Sequence, residues 1–291
     1  TALNKAGAIA FTDDGKGVQS DELMKRAMSL IAKTGKPLLD HSEDESLSLG
    51  GAIHKGKVSQ KYNIAGIDHM SEAAHVERGC RFAHETGCHF HVLHISTEAS
   101  INYVREAKKK GWPVTAEVSP HHLLLCDEDI PARSESDLDA NWKMNPPLRS
   151  AQDRQACVEA FLDGTIDMIA TDHAPHSKEE KSQHIMKAPF GIVGLETAFP
   201  LIYTHFVLNG KISLTKMVDM MTREPAKLFH LPYGTLKVGA IADLTLIDLE
   251  KEITINSEEF LSKGRNTPFE NWKVKGIPEL TIYEGNIVFQ N

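Results

Sequence analysis

Thr165-Ile166-Asp167-Met168-Ile169-Ala170-Thr171-Asp172-His173-Ala174-Pro175-His176 is the stretch on which the reading of the fold turns. Its apolar run lies between Gly164 and Pro175 and predicts a buried strand of the parallel kind. The strand ends in Asp172, His173 and His176, where α/β proteins bind ligands, beyond the carboxyl ends of their strands. A capping aspartate beside two loop histidines would account for this stretch taken alone. Four earlier strand candidates end in the same kind of residue, and that repetition favours a shared site.

Working outward, Gly7–Thr12 predicts a strand whose mouth is Asp13-Asp14-Gly15. Ser20-Asp21-Glu22 supplies N-cap and acidic first-turn signals for a helix to about Lys33, with Leu23, Ala27, Leu30 and Ile31 on its apolar face. Pro37-Leu38-Leu39-Asp40 is a second strand with His41 at its end. The Gly- and His-bearing stretch from Leu47 to Met70 lacks periodicity and reads as a long loop, and the helix after it ends near Thr86-Gly87. Cys88–Thr97 alternates in period two, His89 and His91 on one face, Phe90, Val92 and His94 on the other. The plain reading of His89 and His91 is a half-polar, interior-facing strand surface. Helices over Ser100–Lys110 and Asp153–Leu162 flank a strand at Pro113–Val118, and further helices fall within Gly194–Val207 and Leu214–Met221.

Five βα units without a glycine-rich dinucleotide fingerprint point to a (β/α)8 barrel of which strands 4–8 are present. Because the chain opens on a strand, three units are expected upstream of Thr1. After Pro232 the grammar changes to antiparallel alternation, with a hairpin at Glu284-Gly285-Asn286. The expected division is therefore a partial barrel over residues 1–232 and a small β-sandwich portion over 233–291.

At 291 residues and 41% hydrophobic content the chain can bury a substantial core. A formal charge of −8 gives no basic footprint for nucleic acid or an anionic membrane. Cys80, Cys88, Cys126 and Cys157 show no CxxC spacing, which suits reduced thiols in the cytoplasm and predicts no disulfide. There is no apolar run of spanning length. Asp14, His41, His94 and Asp172 each stand at the mouth of a different strand. These residue types bind zinc-like ions, and carboxylates can bridge two of them, so the pattern predicts a metal-dependent hydrolase.

The motifs Phe11-Thr12-Asp13-Asp14-Gly15, His41-Ser42-Glu43-Asp44, His91-Val92-Leu93-His94-Ile95-Ser96-Thr97, Glu117-Val118-Ser119-Pro120-His121-His122, Met144-Asn145-Pro146-Pro147-Leu148-Arg149, Thr171-Asp172-His173-Ala174-Pro175-His176 and Pro189–Thr197 together resemble the bacterial dihydroorotases of the amidohydrolase superfamily. The resemblance runs over essentially the whole chain. It implies reversible hydrolysis of the cyclic amide of dihydroorotate to N-carbamoyl-aspartate, in de novo pyrimidine biosynthesis. It further implies two zinc ions, with Asp14 bridging, His41 and His94 on one ion and Asp172 on the other. A metal-bridging hydroxide would attack, with Asp172 as general base and then acid. Asn145, His176 and the backbone at Phe190-Gly191 would contact substrate, and His121 and His122 would be structural. Partners compatible with the resemblance are a second copy of the chain and aspartate carbamoyltransferase.

The superfamily's His-x-His pair, an Asn-bearing third strand and a carboxylate-binding arginine lie outside these residues, so the chain alone is expected to be inactive. Hydantoinases and allantoinases are the alternative within the superfamily, but they use a carboxylated lysine where Asp14 stands; Lys16 lies two residues beyond. A non-catalytic scaffold is the alternative outside it. The charged segment Ser177–Lys187 is expected to be mobile.

Overall fold

Residues 2–291 are described by a computed structural model. The chain opens with α1 (Ala2–Lys5), β1 (Phe11–Thr12), α2 (Asp21–Ala32), β2 (Leu38–Asp40) and α3 (Glu45–Ser48). An excursion follows through β3 (Ile53–His54), α4 (Lys57–Lys61) and β4 (Gly66–Ile67). Next come α5 (His69–Thr86), β5 (Phe90–Val92), α6 (Glu98–Lys109), β6 (Val114–Val118) and α7 (Pro120–Leu124). A hairpin of β7 (Ala132–Ser134) and β8 (Asp137–Leu138) precedes α8 (Ala151–Asp163), β9 (Met168–Ile169) and α9 (Lys178–Ser182). The chain closes with α10 (Ala198–Ile202), a π-helical turn Tyr203–Val207, α11 (Leu214–Met221), α12 (Arg223–Leu228), β10 (Leu244–Thr254), β11 (Lys273–Tyr283) and β12 (Asn286–Gln290).

β1, β2, β5, β6 and β9 form one five-stranded sheet in that order. Every pairing is parallel, with Phe11 opposite Leu38, Leu38 opposite Phe90, Phe90 opposite Val114 and Glu117 opposite Met168. Sequential parallel order puts all five carboxyl ends, and so all the candidate ligands, along one rim. The helices form where local chemistry requires. Ser20, Thr97 and Ser150 accept from Leu23, Ser100 and Asp153 N–H at the starts of α2, α6 and α8. Gly87 and Gly164 take left-handed φ at the ends of α5 and α8.

The main core lies between sheet and helices, where Phe90, Val92, Val114, Ala116 and Val118 meet Val76, Ile101, Val104 and Phe161. Phe90 sits so close over α5 that a Cβ on Gly79 would lie 2.0 Å from its ring. The opposite sheet face is polar. His89 Nε2 and His91 Nδ1 both lie 2.8 Å from Thr115 Oγ1, and His91 Nε2 is 3.0 Å from Glu117 Oε2.

Several expectations need correction. On α2 the buried residues are Met24, Met28 and Ile31, while Leu23 and Leu30 are exposed, so the helix presents a different stripe to the core. Residues 47–70 are not a bare loop: Ala52, Ile53 and Ile64 enter a second core, and its apolar contacts organise β3, α4 and β4. His94 leaves the face of Phe90 and Val92 because the strand stops at Val92, and His94 itself takes φ +33°. Residues 233–291 hold one antiparallel three-stranded sheet, β10-β11-β12. Val274 and Ile277 of β11, with Phe269, join the second core beside Leu138 and Leu201, whereas Leu246 and Ile287 remain exposed. The hairpin turn is as expected, with positive φ at Glu284 and Gly285. All four cysteines are buried free thiols. No helix among the described residues is long and apolar enough to cross a membrane.

Candidate metal centre

Two acidic residues end β1, and their roles diverge. Asp13 spends its carboxylate on the loop, accepting from Val18 N at 2.8 Å and His41 N at 3.2 Å. Asp14 is left to face the rim. Its Oδ1 lies 3.4 Å from His41 Nδ1 and 3.9 Å from His94 Nε2, and those two nitrogens are 3.1 Å apart. The imidazoles meet edge to face, with ring centroids 4.9 Å apart. Asp14, His41 and His94 thus offer three ligand atoms that all lie within 4.8 Å of one another.

This trio fits a divalent ion. A tetrahedral ion with bonds of about 2.0–2.2 Å holds its ligand atoms about 3.3–3.6 Å apart, close to the separations found. Two ring nitrogens facing each other and one carboxylate oxygen form a donor set that a cation would satisfy directly. Hydrogen bonds from His41 and then His94 hold the Asp14 carboxyl well below the usual carboxylate range. Burial lowers the His41 imidazolium's pKa, but its bonds to Asp14 and Glu43 outweigh that and bring it to about 10. The cluster therefore already stabilises positive charge where an ion would sit.

His41 Nε2 turns the other way, 3.1 Å from Glu43 Oε2 and 3.2 Å from Asn145 Nδ2. Asn145 Nδ2 also donates to Glu43 Oε2 at 2.9 Å. Burial pushes the Glu43 carboxyl up, yet the bonds from His41 and Asn145 prevail and bring it to about 2. Glu43 escaped the sequence reading; its only signal there was its place two residues after His41. His122 Nε2 lies 3.0 Å from the Pro146 carbonyl oxygen and supports the turn that carries Asn145. His121 and His122 are fully buried with lowered pKa, caused first by desolvation.

Asp172 follows β9 with φ +47°. Burial raises its pKa, and the charges of His94, Asp14 and His41 also reach it. It is not among the three converging ligands. Its neighbour His173 is structural, accepting from Gly194 N–H at 3.1 Å.

His176, Phe190 and Gly191 are brought together. His176 Nε2 lies 2.9 Å from the Phe190 carbonyl oxygen, and His176 N–H donates to Asn266 Oδ1 at 3.0 Å. Gly191 has φ +151°, and a Cβ there would lie 2.6 Å from the Ala174 carbonyl oxygen and 2.8 Å from His176 Cδ2, so only glycine fits this close approach. The Gly191 N–H is spent on the Lys143 carbonyl at 2.9 Å. The segment 177–187, expected to be mobile, is anchored: its Lys181 is buried and donates to the carbonyls of Ala140, Lys143 and Pro189.

A profile of the amidohydrolase family matches residues 1–288. The dihydroorotase of Anoxybacillus flavithermus is 55% identical over 289 residues, covering 99% of this chain and 66% of its own length. That of Brevibacillus brevis is 56% identical over 290 residues, covering 99% and 67%. Among solved structures, an L-hydantoinase (dihydropyrimidinase) from Arthrobacter aurescens superposes with a TM-score of 0.85 at 28% identity, covering 99% of this chain and 66% of that one. A D-hydantoinase (dihydropyrimidinase) from Thermus sp. gives 0.83 at 25% identity, covering 97% and 63%. The chain thus spans about two thirds of the length of the curated relatives it matches.

Proposed function

This chain belongs to the amidohydrolase family, with that family's α/β metal-dependent hydrolase fold, and we propose that it supplies the larger part of a dihydroorotase. The observation that carries the reading is the carboxylate of Asp14 converging with His41 and His94. A hydantoinase-type site would need a lysine at that position, and Lys16 is exposed. Identity of 55% to named dihydroorotases, against 28% to the L-hydantoinase, supports the same choice.

In this reading Asp14, His41 and His94 would hold one zinc ion, and Asp172 would serve a second. When bound, such ions polarise a carbonyl oxygen and make water acidic enough to react near neutral pH. The protein's own groups do the rest. Asp172, its pKa raised by burial, takes a proton from the attacking water and returns it to the ring nitrogen as the carbon–nitrogen bond of the cyclic amide breaks. The product carries one more carboxylate than the substrate. Asn145, held by Glu43 at 2.9 Å, and His176 with the Phe190–Gly191 backbone orient the small anionic ring.

The parallel sheet is taken as strands 4–8 of a (β/α)8 barrel over residues 1–232, with 233–291 as an appended unit and the His-x-His pair contributed from outside these residues. A cytoplasmic setting rests on the free-thiol pattern and the resemblance, and a second copy of the chain and aspartate carbamoyltransferase as partners rest on the resemblance alone; sedimentation with and without the transferase tests these two. The decisive assay is dihydroorotate turnover with zinc supplied, by this chain and by a version extended upstream by about three βα units. Turnover in the extended version supports the proposal. A folded, zinc-loaded extended protein that opens hydantoin or dihydrouracil but not dihydroorotate would replace it.

A further inference from the structure

Two lysines without a carboxylate partner are buried behind the loop assigned to the substrate. Lys143 and Lys181 are each 4% exposed. No carboxylate oxygen lies within 4.0 Å of either Nζ among the described residues; the charges of Asp139 and Glu180 reach Lys181 only at longer range. Their partners are backbone carbonyls. Lys143 Nζ donates to Ile185 O and Ala188 O, both at 2.7 Å, and sits 4.3 Å from the centre of the Phe190 ring. Lys181 Nζ donates to Ala140 O at 2.9 Å, Pro189 O at 2.9 Å and Lys143 O at 3.3 Å.

An ammonium group is among the costliest to strip of water, and apolar side chains would fill the same space without that cost. What apolar stems cannot do is gather carbonyl oxygens. These two groups draw together the backbone of 140–143, which leads into Asn145, and that of 185–189, which leads into Phe190 and Gly191. The Gly191 N–H closes the junction on Lys143 O at 2.9 Å. Burial lowers both side chains, Lys143 to about 8 and Lys181 to about 7, as expected of cations whose partners are dipoles only.

We propose that Lys143 and Lys181 are positioning residues that clamp the Asn145 turn to the Phe190–Gly191 backbone, presetting both for a small carboxylate-bearing cyclic amide. The clamp rests on the dihydroorotase reading for the identity of that ligand and on the hydrogen bonds above for its mechanics. Neither lysine touches the ligand. Each acts through the backbone it holds.

The test compares wild type with K181M, K143M and K143R, each in the version extended upstream, by calorimetric binding of L-dihydroorotate and of zinc, and by hydrogen exchange of amides 185–191. The expected result for K181M is dihydroorotate affinity weakened by about tenfold or more, zinc affinity within about twofold of wild type, and faster exchange at 185–191. K143M, which releases only the contacts at Ile185, Ala188 and Phe190, should weaken affinity less and serves if K181M does not fold. K143R keeps a cation and donors but not the compact ammonium fitted between Ile185 O and Ala188 O, so it should restore affinity only in part, above K143M and below wild type. Wild-type dihydroorotate affinity in folded lysine-to-methionine variants would overturn the proposal. If wild type itself bound no dihydroorotate, the reading of function would fall instead. The clamp would then be judged by exchange alone, and unchanged protection of 185–191 in the methionine variants would refute it.

Discussion

Glu72 is the most heavily bonded carboxylate in the molecule's interior, and its removal gives the sharpest test of how the rim is held. It lies in the first turn of α5 and is 3% exposed. It accepts from Ser96 N at 3.0 Å, Thr97 N at 3.1 Å and Thr97 Oγ1 at 3.2 Å, as well as from the Ser96 hydroxyl. Arg149 Nη2 is 3.6 Å away, and Arg149 also donates to Ser96 Oγ at 3.0 Å and Ile67 O at 3.2 Å. Burial pushes the Glu72 carboxyl up, but Arg149 and the Ser96 bonds outweigh it and leave it lowered.

E72L leaves the Arg149 guanidinium buried without its counter-charge, a change that costs about 3–5 kcal/mol, and strips two backbone N–H groups of their acceptor at about 1–3 kcal/mol each. We expect a loss of about 5 kcal/mol or more, a large part of the about 5–15 kcal/mol available to such a protein. R149M leaves the carboxylate with its four donors and should cost less, about 2–3 kcal/mol. The double variant E72L/R149M leaves no orphan charge, so its loss should fall short of the sum of the singles by about 2 kcal/mol. Urea unfolding, followed as a midpoint shift at constant slope, measures all three. An E72L loss below about 1 kcal/mol, or additivity within about 0.5 kcal/mol, would refute the reasoning. Because Ser96 and Thr97 follow His94 closely, E72Q should also weaken zinc binding at the trio.

Two further outcomes follow from the geometry. G79A should destabilise by about 2 kcal/mol or more although alanine is the better helix former, because its Cβ would lie 2.0 Å from the Phe90 ring; F90L should relieve part of the loss, and a neutral G79A thermal melt would contradict the packing described. His41, raised from 6.5 to about 10 in the metal-free protein, gives stability that is complete below pH 6.5 and lost as pH rises through about 10, since the folded state binds the extra proton in that window. Zinc must displace this proton, so apparent affinity should rise by up to about tenfold per pH unit below about pH 8, with about one proton released per ion; calorimetry in buffers of different ionisation heat reads the proton directly, and zero release at pH 8 would show that the free protein does not hold the His41 proton that zinc displaces.

Periodicity and end signals are local properties, and at that level the sequence was sufficient. The parallel strands at Leu38, Phe90, Val114 and Met168 and the helix ends at Ser20 and Gly87 declare themselves within a few residues, as does the Glu284–Gly285 turn. The residue types at the strand mouths also announced metal chemistry, because few other side chains bind zinc-like ions. The sequence reading takes Asp14 over Asp13 as the rim acid, although no local pattern separates two adjacent acids. Asp13 and Asp14 are chemically identical, and only the approach of Val18 and His41 backbone N–H groups commits Asp13 to the loop. The stripe of α2 was equally ambiguous, since Leu23 and Met24 are comparable apolar residues and only the neighbouring elements select Met24. Residues 47–70 carry no period because a second core, built from the distant Leu138, Leu201 and Phe269, gives them their order. Nothing local marks Glu43, Glu72, Lys143 or Lys181, and bonds to partners 24, 41, 42 or 102 residues away in sequence turn them into structural centres. Sequence patterns report how a segment pairs with water and with its own neighbours, whereas long-range hydrogen bonds and charge pairing exist only once the chain has closed on itself.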